Sequence, residues 1–299
     1  MTGILIGGWV WFCVGVFVVG CLWKAFRYAT APVHLRWDLY PVAHEPRRDH
    51  GGSYLEEREW WTKPRRKDRL GELGVMAAEI LLLKGVWEHN RRVWWGSLMF
   101  HWGLYLLTLT TVGLGLEVVG LARGWLVPML AVTGTAGGAG TAVGALILLG
   151  MRAFDPLLRP YTSPADRANL LVLCAFGTLS AFVAAWTPGM ETVARRLADP
   201  LRFRGSAMDP LWAAQMAVGG LFLLYFPATR MVHFFAKYFT YHKVRWDDEP
   251  VAGNPRLAAR LSAALDFGVD WSASHVQTGR TWAEVATELP EATKGGGND

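Results

Sequence analysis

The sequence predicts an all-α membrane protein, a bundle of five transmembrane helices. The mean hydropathy of the 299-residue chain is +0.19, whereas soluble domains rarely average above zero. Five apolar runs each exceed the ~17 residues that a helix needs to cross a bilayer core. These predicted spans are 4–23, 93–120, 125–150, 168–186 and 211–238.

The first span and the loop after it differ sharply in charge. No Lys or Arg precedes the apolar run 4–23, so a cleaved signal peptide, which needs a basic start, is not expected. The loop 24–92 mixes acidic and basic residues. Within it, the apolar stretch 73–87 is short and carries Glu79 and Lys84, which predicts an interfacial helix and not a sixth span.

The third span is rich in small residues, with the sequence TGTAGGAGTAVGA at 133–145. Small residues let helix backbones approach closely, which predicts that this helix packs in the interior of the bundle. The alternative is a loosely ordered helix that faces lipid.

Basic residues predict the orientation. The loop between spans one and two holds 14 Lys and Arg, that between spans three and four holds three, and the segment from Arg230 onward holds eight. The opposite side holds five, four of them in the loop between spans four and five. The positive-inside rule then puts the N-terminus outside and the C-terminus in the cytoplasm.

This topology divides the chain into two parts. Residues 1–245 form the five-helix transmembrane domain, with 24–92 as its cytoplasmic loop. Residues 246–299 form a cytoplasmic tail that we expect to dock on a soluble partner, a solvated tail being the alternative. A nucleic-acid partner is not expected.

The three cysteines lie in apolar runs, and the chain has no Cys-x-x-Cys pair. This pattern argues against a disulfide framework, a structural zinc site and a cysteine-ligated iron–sulfur cluster. If the chain handles electrons, it therefore needs another carrier or a partner.

Two of the eight histidines, His101 and His233, fall well inside predicted spans. An imidazole in hydrocarbon needs a hydrogen-bond partner, a metal or a cavity. His101 lies eight residues after Val93, about 12 Å into its helix, and His233 five residues before Tyr238, about 8 Å from that end. Facing imidazoles at similar depth suit a six-coordinate haem that shuttles single electrons. Alternatively, each ring bonds a neighbouring backbone or hydroxyl group.

Neighbouring residues extend this hypothesis. Arg230 precedes His233 by three residues, on the same face of a helix, where it can pair with a haem propionate or snorkel to the interface. His89 and His242 lie at the membrane edge, and whether either binds a second haem stays open. The remaining histidines are expected in loops: His34, His44, His50 and His275.

The histidine-bearing motifs SLMFHWG (97–103) and YFPATRMVHFF (225–235) resemble the gamma, cytochrome b, subunit of respiratory nitrate reductase. They equally resemble the related membrane cytochromes of heterodisulfide-reductase-like and sulfite-reductase-associated complexes. RWDLYPVAHE (36–45) and WSASHVQTGRTWAEVATE (271–288) look like segments of that second branch, whose cytochromes partner a cytoplasmic iron–sulfur subunit. The resemblance covers roughly residues 1–245, and the tail more loosely.

The chain departs from this family in its ligand set. The family typically has four haem-ligating histidines, and His101 and His233 match the pair nearest the cytoplasmic partner. The other two places fall on Thr111 and Gln215, neither of which suits haem iron. The resemblance therefore implies one haem b, with each histidine's other ring nitrogen held by an acceptor.

Together these observations predict an electron-transfer subunit of a quinone-linked oxidoreductase in the cytoplasmic (inner) membrane. It would pass electrons between menaquinone or ubiquinone and a heterodisulfide-reductase-like iron–sulfur partner, with enzymatic activity belonging to the complex. A haem-free membrane anchor for a soluble redox enzyme is the alternative. A transporter is disfavoured, because few other charges lie in the spans, Glu117 is near a helix end and no inverted repeat is visible.

Overall fold

The protein is described from a computed structural model. The described residues are 1–32, 53–63, 68–118, 121, 127–186, 190–205, 207–273 and 276–287. Within these ranges the chain is helical and has no β-strand beyond two isolated bridges. Five of the described helices are long and apolar enough to cross a membrane. The prediction of an all-α, multi-pass membrane protein is confirmed at this level.

The long helices are α1 (Thr2–Ala29), α4 (Arg91–Val118), α5 (Val127–Phe154), α6 (Pro164–Trp186) and α8 (Pro210–Tyr225). The shorter ones are α2 (Arg69–Leu81), α3 (Lys84–His89), α7 (Met190–Leu201), α9 (His233–Thr240), α10 (Pro255–Leu265) and α11 (Trp282–Thr287). The chain forms two compact units. The first comprises Met1–Lys24 and Leu73–Val232, and the second Ala25–Glu72 and His233–Asp299.

Glycines bring α5 into backbone contact with both α4 and α6. A β-carbon on Gly144 would lie 2.6 Å from the backbone nitrogen of Phe100 in α4. One on Gly138 would lie 2.5 Å from the backbone nitrogen of Ala181 in α6. Neither position has room for any side chain. The prediction that the small-residue helix packs in the interior is therefore confirmed.

Helix α1 packs through a narrow face. The indole of Trp9 donates to the carbonyl of Ala217 in α8 at 3.1 Å, and that of Trp11 to the carbonyl of Leu201 in α7 at 2.9 Å. Cys13 is fully buried on this face. Large apolar side chains cover the rest of the helix and are exposed, as suits a helix whose outer surface meets lipid.

The predicted span 211–238 is not one continuous helix, and this part of the prediction is wrong. Helix α8 ends at Tyr225, two 3-10 turns follow, Phe226–Ala228 and Arg230–Val232, and α9 begins at His233. Pro227 has no N–H to continue the α-helical ladder. Thr229 is extended, and its hydroxyl accepts from the backbone N–H of Met231 at 3.1 Å, which starts the second turn.

The predicted interfacial stretch 73–87 forms two helices, α2 and α3. Leu83 separates them in the left-handed conformation, at φ 50° and ψ 49°, with its side chain buried. A leucine there is strained, so the surrounding packing must hold the turn in place.

In the second unit the tail folds on itself. Val269 donates from its backbone N–H to the carbonyl of Arg280 at 2.7 Å, and Val269 and Val276 are both buried. Helix α11 begins at a capping box, in which Glu284 accepts from the N–H and the hydroxyl of Thr281. These hydrogen bonds lower the pKa of the Glu284 carboxyl. That the tail docks on a partner stays a prediction.

The glycine contacts lead to a test by substitution. Gly144→Ala should lower the free energy of unfolding by about 1–3 kcal/mol, because its methyl group would overlap the α4 backbone. Gly150→Ala, in the same helix, is the matched control, since a β-carbon there meets nothing within 4 Å. Thermal unfolding of both variants in detergent measures the difference. Equal midpoints for the two variants would contradict the close approach of α5 and α4.

Candidate functional site

His101 lies on α4 with its Nδ1 hydrogen-bonded to the backbone. Its Nδ1 is 2.7 Å from the carbonyl oxygen of Ser97, one turn earlier. A carbonyl only accepts, so Nδ1 carries the hydrogen and donates it. In the neutral ring this tautomer puts the lone pair on Nε2, the nitrogen that can ligate a metal. The acceptor expected for this histidine is therefore the Ser97 carbonyl.

The backbone beneath His101 is held rigidly. The neighbouring Phe100 is buried among α5 and α6 residues, and a β-carbon on Gly103 would meet the backbone of Thr141. The His101 ring is half-buried and lies 5.5 Å from the Phe100 ring and 6.3 Å from the Tyr105 ring, centroid to centroid. The close contact with α5 thus sets where the imidazole sits.

His233 is the first residue of α9 and is exposed. It belongs to the second compact unit, whereas His101 belongs to the first. The five residues over which its depth was counted, His233 to Tyr238, do lie in one helix, α9, but the candidate span ends at Ala228 and His233 lies beyond it. The pairing of the two rings on one iron stays a prediction.

Arg230 lies in the 3-10 turn Arg230–Val232 and not in the α-helix that the prediction assumed. Its charge, together with that of Arg152, acts on the carboxylate of Asp166 at the start of α6. Asp166 also accepts from the N–H and hydroxyl of Ser163, at 3.0 and 2.8 Å. This environment suits a snorkelling arginine, and the role toward a haem propionate stays a prediction.

Thr111 and Gln215, at the places of the family's second histidine pair, both bond within the protein. The Thr111 hydroxyl donates to the carbonyl of Leu107 at 2.8 Å. The Gln215 amide donates to the hydroxyl of Ser180 at 3.4 Å, between α8 and α6. Both side chains have structural partners.

The other histidines differ in their surroundings. His89 is exposed at the end of α3. His242 lies in the π-helical turn Tyr241–Arg245, half-buried, with its ring 4.5 Å from that of Tyr238 and 5.3 Å from that of Trp246. The predicted loop positions 34, 44, 50 and 275, and the motif 36–45, lie outside the described residues.

One polar contact within the spans was missed by the sequence analysis, and a second polar group, Glu117, was noted only as lying near a helix end. The Tyr225 hydroxyl donates to the Asn169 side-chain oxygen at 3.0 Å, joining α8 to α6. The sequence could have indicated this bond, because a phenol hydroxyl inside a span needs a hydrogen-bond partner. One carboxylate oxygen of Glu117 is buried without a hydrogen-bond partner among the described residues.

The described side chains can be compared with the ligands that a haem iron needs. Within the described ranges, no group of three or more His, Cys, Asp or Glu side chains converges so as to hold a metal ion. A porphyrin supplies four of the six ligands itself, so only two axial side chains are needed. His101, an imidazole with its lone pair on Nε2, fits one axial position.

Comparisons with known proteins do not add to this picture. No protein-family model matches the chain, and no curated protein matches it. The functional interpretation therefore rests on the residues and motifs themselves.

The tautomer of His101 can be measured directly. In the metal-free protein at neutral pH, nitrogen-15 NMR of histidine-labelled protein should show His101 protonated at Nδ1, because Nδ1 donates to the Ser97 carbonyl. The signal is assigned as the one that His101→Gln removes and His89→Gln retains. A His101 protonated only at Nε2 would contradict the hydrogen bond.

Proposed function

We propose that the chain is a haem b-containing membrane subunit of a quinone-linked oxidoreductase complex. The observation that carries the proposal is His101, an imidazole inside a candidate span with Nδ1 donated to the Ser97 carbonyl. A backbone acceptor of this kind fixes the orientation of a ligating histidine and raises its basicity. The motifs around both histidines, which resemble those of membrane cytochromes b, support the same reading.

In this proposal His101 and His233 are the two axial ligands of a single haem b. The haem, when bound, accepts and gives up one electron at a time. The chain's own part would be to hold the iron with one ring nitrogen of each histidine and to pair Arg230 with a propionate. A second haem has no matching ligands, since Thr111 and Gln215 take the places where the family has histidines.

The orientation proposed is N-terminus outside and C-terminus cytoplasmic, in the cytoplasmic (inner) membrane. The basic loop 24–92 supports it through the positive-inside rule. Arg92 at the start of α4 pairs with Asp155 just after α5, at 3.3 Å. In this orientation the pair lies at the cytoplasmic face, where Arg152 and Arg230 also lie.

The proposed partners follow from this topology. Menaquinone or ubiquinone would bind in an apolar cleft beside the haem, and with no second haem its chemistry is confined to the cytoplasmic half of the membrane. A heterodisulfide-reductase-like iron–sulfur subunit would dock at the cytoplasmic face, on the tail 246–299 and the loop 24–92. This partner is supported by the resemblance of 36–45 and 271–288 to segments of the second branch.

A haem-free anchor for a soluble redox enzyme is the second candidate. The hydrogen bond from His101 to Ser97 favours it as well, because a histidine without a ligand satisfies its ring in the same way. The two candidates differ in one property, the presence of haem.

The number of haems and their ligands can be counted together. The purified full-length chain should bind one haem b, by pyridine haemochrome assay against protein concentration. His101→Ala and His233→Ala should each lose the haem, whereas the matched variants His89→Ala and His242→Ala should retain it. Absence of a Soret band from the wild-type chain, produced with adequate haem supply, would favour the anchor.

A potentiometric titration should give a single one-electron step, because the proposal has one haem b, held by His101 and His233. Ser97→Ala should leave the midpoint potential unchanged, since the acceptor is the backbone carbonyl and the side chain takes no part. Two resolved haem steps for the isolated chain would overturn the single-haem proposal.

A further inference from the structure

Side chains of α4 hold the carboxyl end of α2. The last carbonyls of α2 and its following turn each accept a hydrogen bond from an aromatic ring donor. The three bonds run from Trp94 Nε1 to the Leu82 oxygen at 2.8 Å, from Trp102 Nε1 to the Leu81 oxygen at 3.0 Å, and from the Tyr105 hydroxyl to the Ile80 oxygen at 2.9 Å. Both helix α4 and residues 80–82 belong to the first compact unit.

These bonds satisfy two sets of groups that would otherwise need water. The final carbonyls of any helix lack intrahelical donors. Indole and phenol donors on a transmembrane helix likewise need acceptors, because the hydrocarbon supplies none. Since each set satisfies the other, the end of α2 can lie in a region without water.

The positions of the donors place this contact at membrane depth. Trp102 follows Arg92 by ten residues, which is about 15 Å along α4. Its side chain leans back toward the start of the helix, so the bond is somewhat shallower than the Cα atom. Trp94 follows Arg92 by only two residues, about 3 Å, so the contact extends from the membrane edge to the depth of Trp102, which lies inside a hydrocarbon core about 30 Å thick.

Beyond its first turn, where Arg69 and Leu70 are exposed, the outward face of α2 is apolar. The exposed residues there recur at the spacing of one helix face and are Leu73, Gly74, Ala77, Ile80 and Leu81, which we call the α2 stripe. The exposed Leu82 extends it into the turn. Glu79 is instead half-buried, with a carboxylate oxygen 3.4 Å from where a β-carbon on Gly85 would lie. This helix thus turns an apolar face outward and keeps a carboxylate on its inner side.

The surface beside the α2 stripe is apolar too. Trp95 and Met99 of α4 are exposed, Trp95 to 70%. Because α4 is a candidate span and these residues follow Arg92 by three and seven positions, their side chains face the outer part of the acyl chains. The bonds from Trp94 and Trp102 bring the end of the α2 stripe to this helix.

We propose that α2 and the turn at Leu83 form a re-entrant segment. It enters the hydrocarbon layer beside α4, is held there by the three ring donors and is covered on the α2 stripe by lipid acyl chains. Helix α3 then returns the chain to Arg91 at the membrane surface. The inference does not depend on haem, so it stands or falls separately from the proposed function.

Spin labelling of the full chain in liposomes tests the inference. The label is placed at Ala77→Cys, after replacing Cys13, Cys21 and Cys174 by alanine. Collision with oxygen should be frequent and collision with a water-soluble nickel chelate rare, as at Met99→Cys, an exposed position of α4 about 10 Å beyond Arg92. Nickel access equal to that at Arg256→Cys, an exposed position in α10, would overturn the inference. Low access of both oxygen and the nickel chelate would mean that protein, and not lipid, covers Ala77, and this result would also overturn the inference.

Hydrogen exchange on the chain with its native cysteines, in lipid nanodiscs, is the second measurement. Amides at 74–82 should be protected, and Trp102→Phe combined with Tyr105→Phe should speed their exchange about tenfold, because two bonds to the α2 end are lost. Trp95→Phe, an exposed ring on the same helix, is the matched control and should leave the exchange unchanged. Rapid exchange in the unaltered chain, or no effect of the double variant, would contradict a segment held within the membrane.

Discussion

The backbone contact of α5 with its two neighbours is the constraint on which the first unit depends. Lipid chains are as apolar as leucine, so burial of apolar surface does not drive helices together within a bilayer. Close packing must supply the attraction, and it does so at Gly138 against α6 and at Gly144 against α4. The packing of α4, α5 and α6 follows from where these glycines stand.

The placement of His101 is a consequence of that packing. Its neighbours Phe100 and Gly103 meet α5, so the side of α4 that faces α5 is set. The imidazole projects from another side of the helix, with its Nδ1 engaged by the Ser97 carbonyl. In the neutral ring this bond leaves the lone pair on Nε2. The same bond also stabilises the ring without a metal, which is why the presence of haem decides between the two candidate functions.

Several polar groups of the first unit pair with one another, although one Glu117 carboxylate oxygen and the Thr141 hydroxyl are buried without a hydrogen-bond partner among the described residues. Tyr225 bonds Asn169, Trp9 bonds a carbonyl of α8, and three ring donors of α4 bond the end of α2. The common cause is the absence of water, which makes an unpaired donor or acceptor costly. Helix interruptions such as those at Pro227 and Leu83 leave backbone N–H and carbonyl groups without intrahelical partners. They are therefore tolerated only where neighbouring residues hydrogen-bond those groups.

The sequence alone determined that the chain is all-α and crosses a membrane several times, because hydropathy and run length are properties of composition along the chain. It also identified the small-residue helix as interior and His101 as the histidine in a span. Only the tertiary structure decided that the fifth run breaks before His233, that Ser97 is the acceptor for His101, and that α4 holds the end of α2. These outcomes depend on which groups meet across helices and on local backbone geometry, and neither is encoded in the periodicity of a single segment.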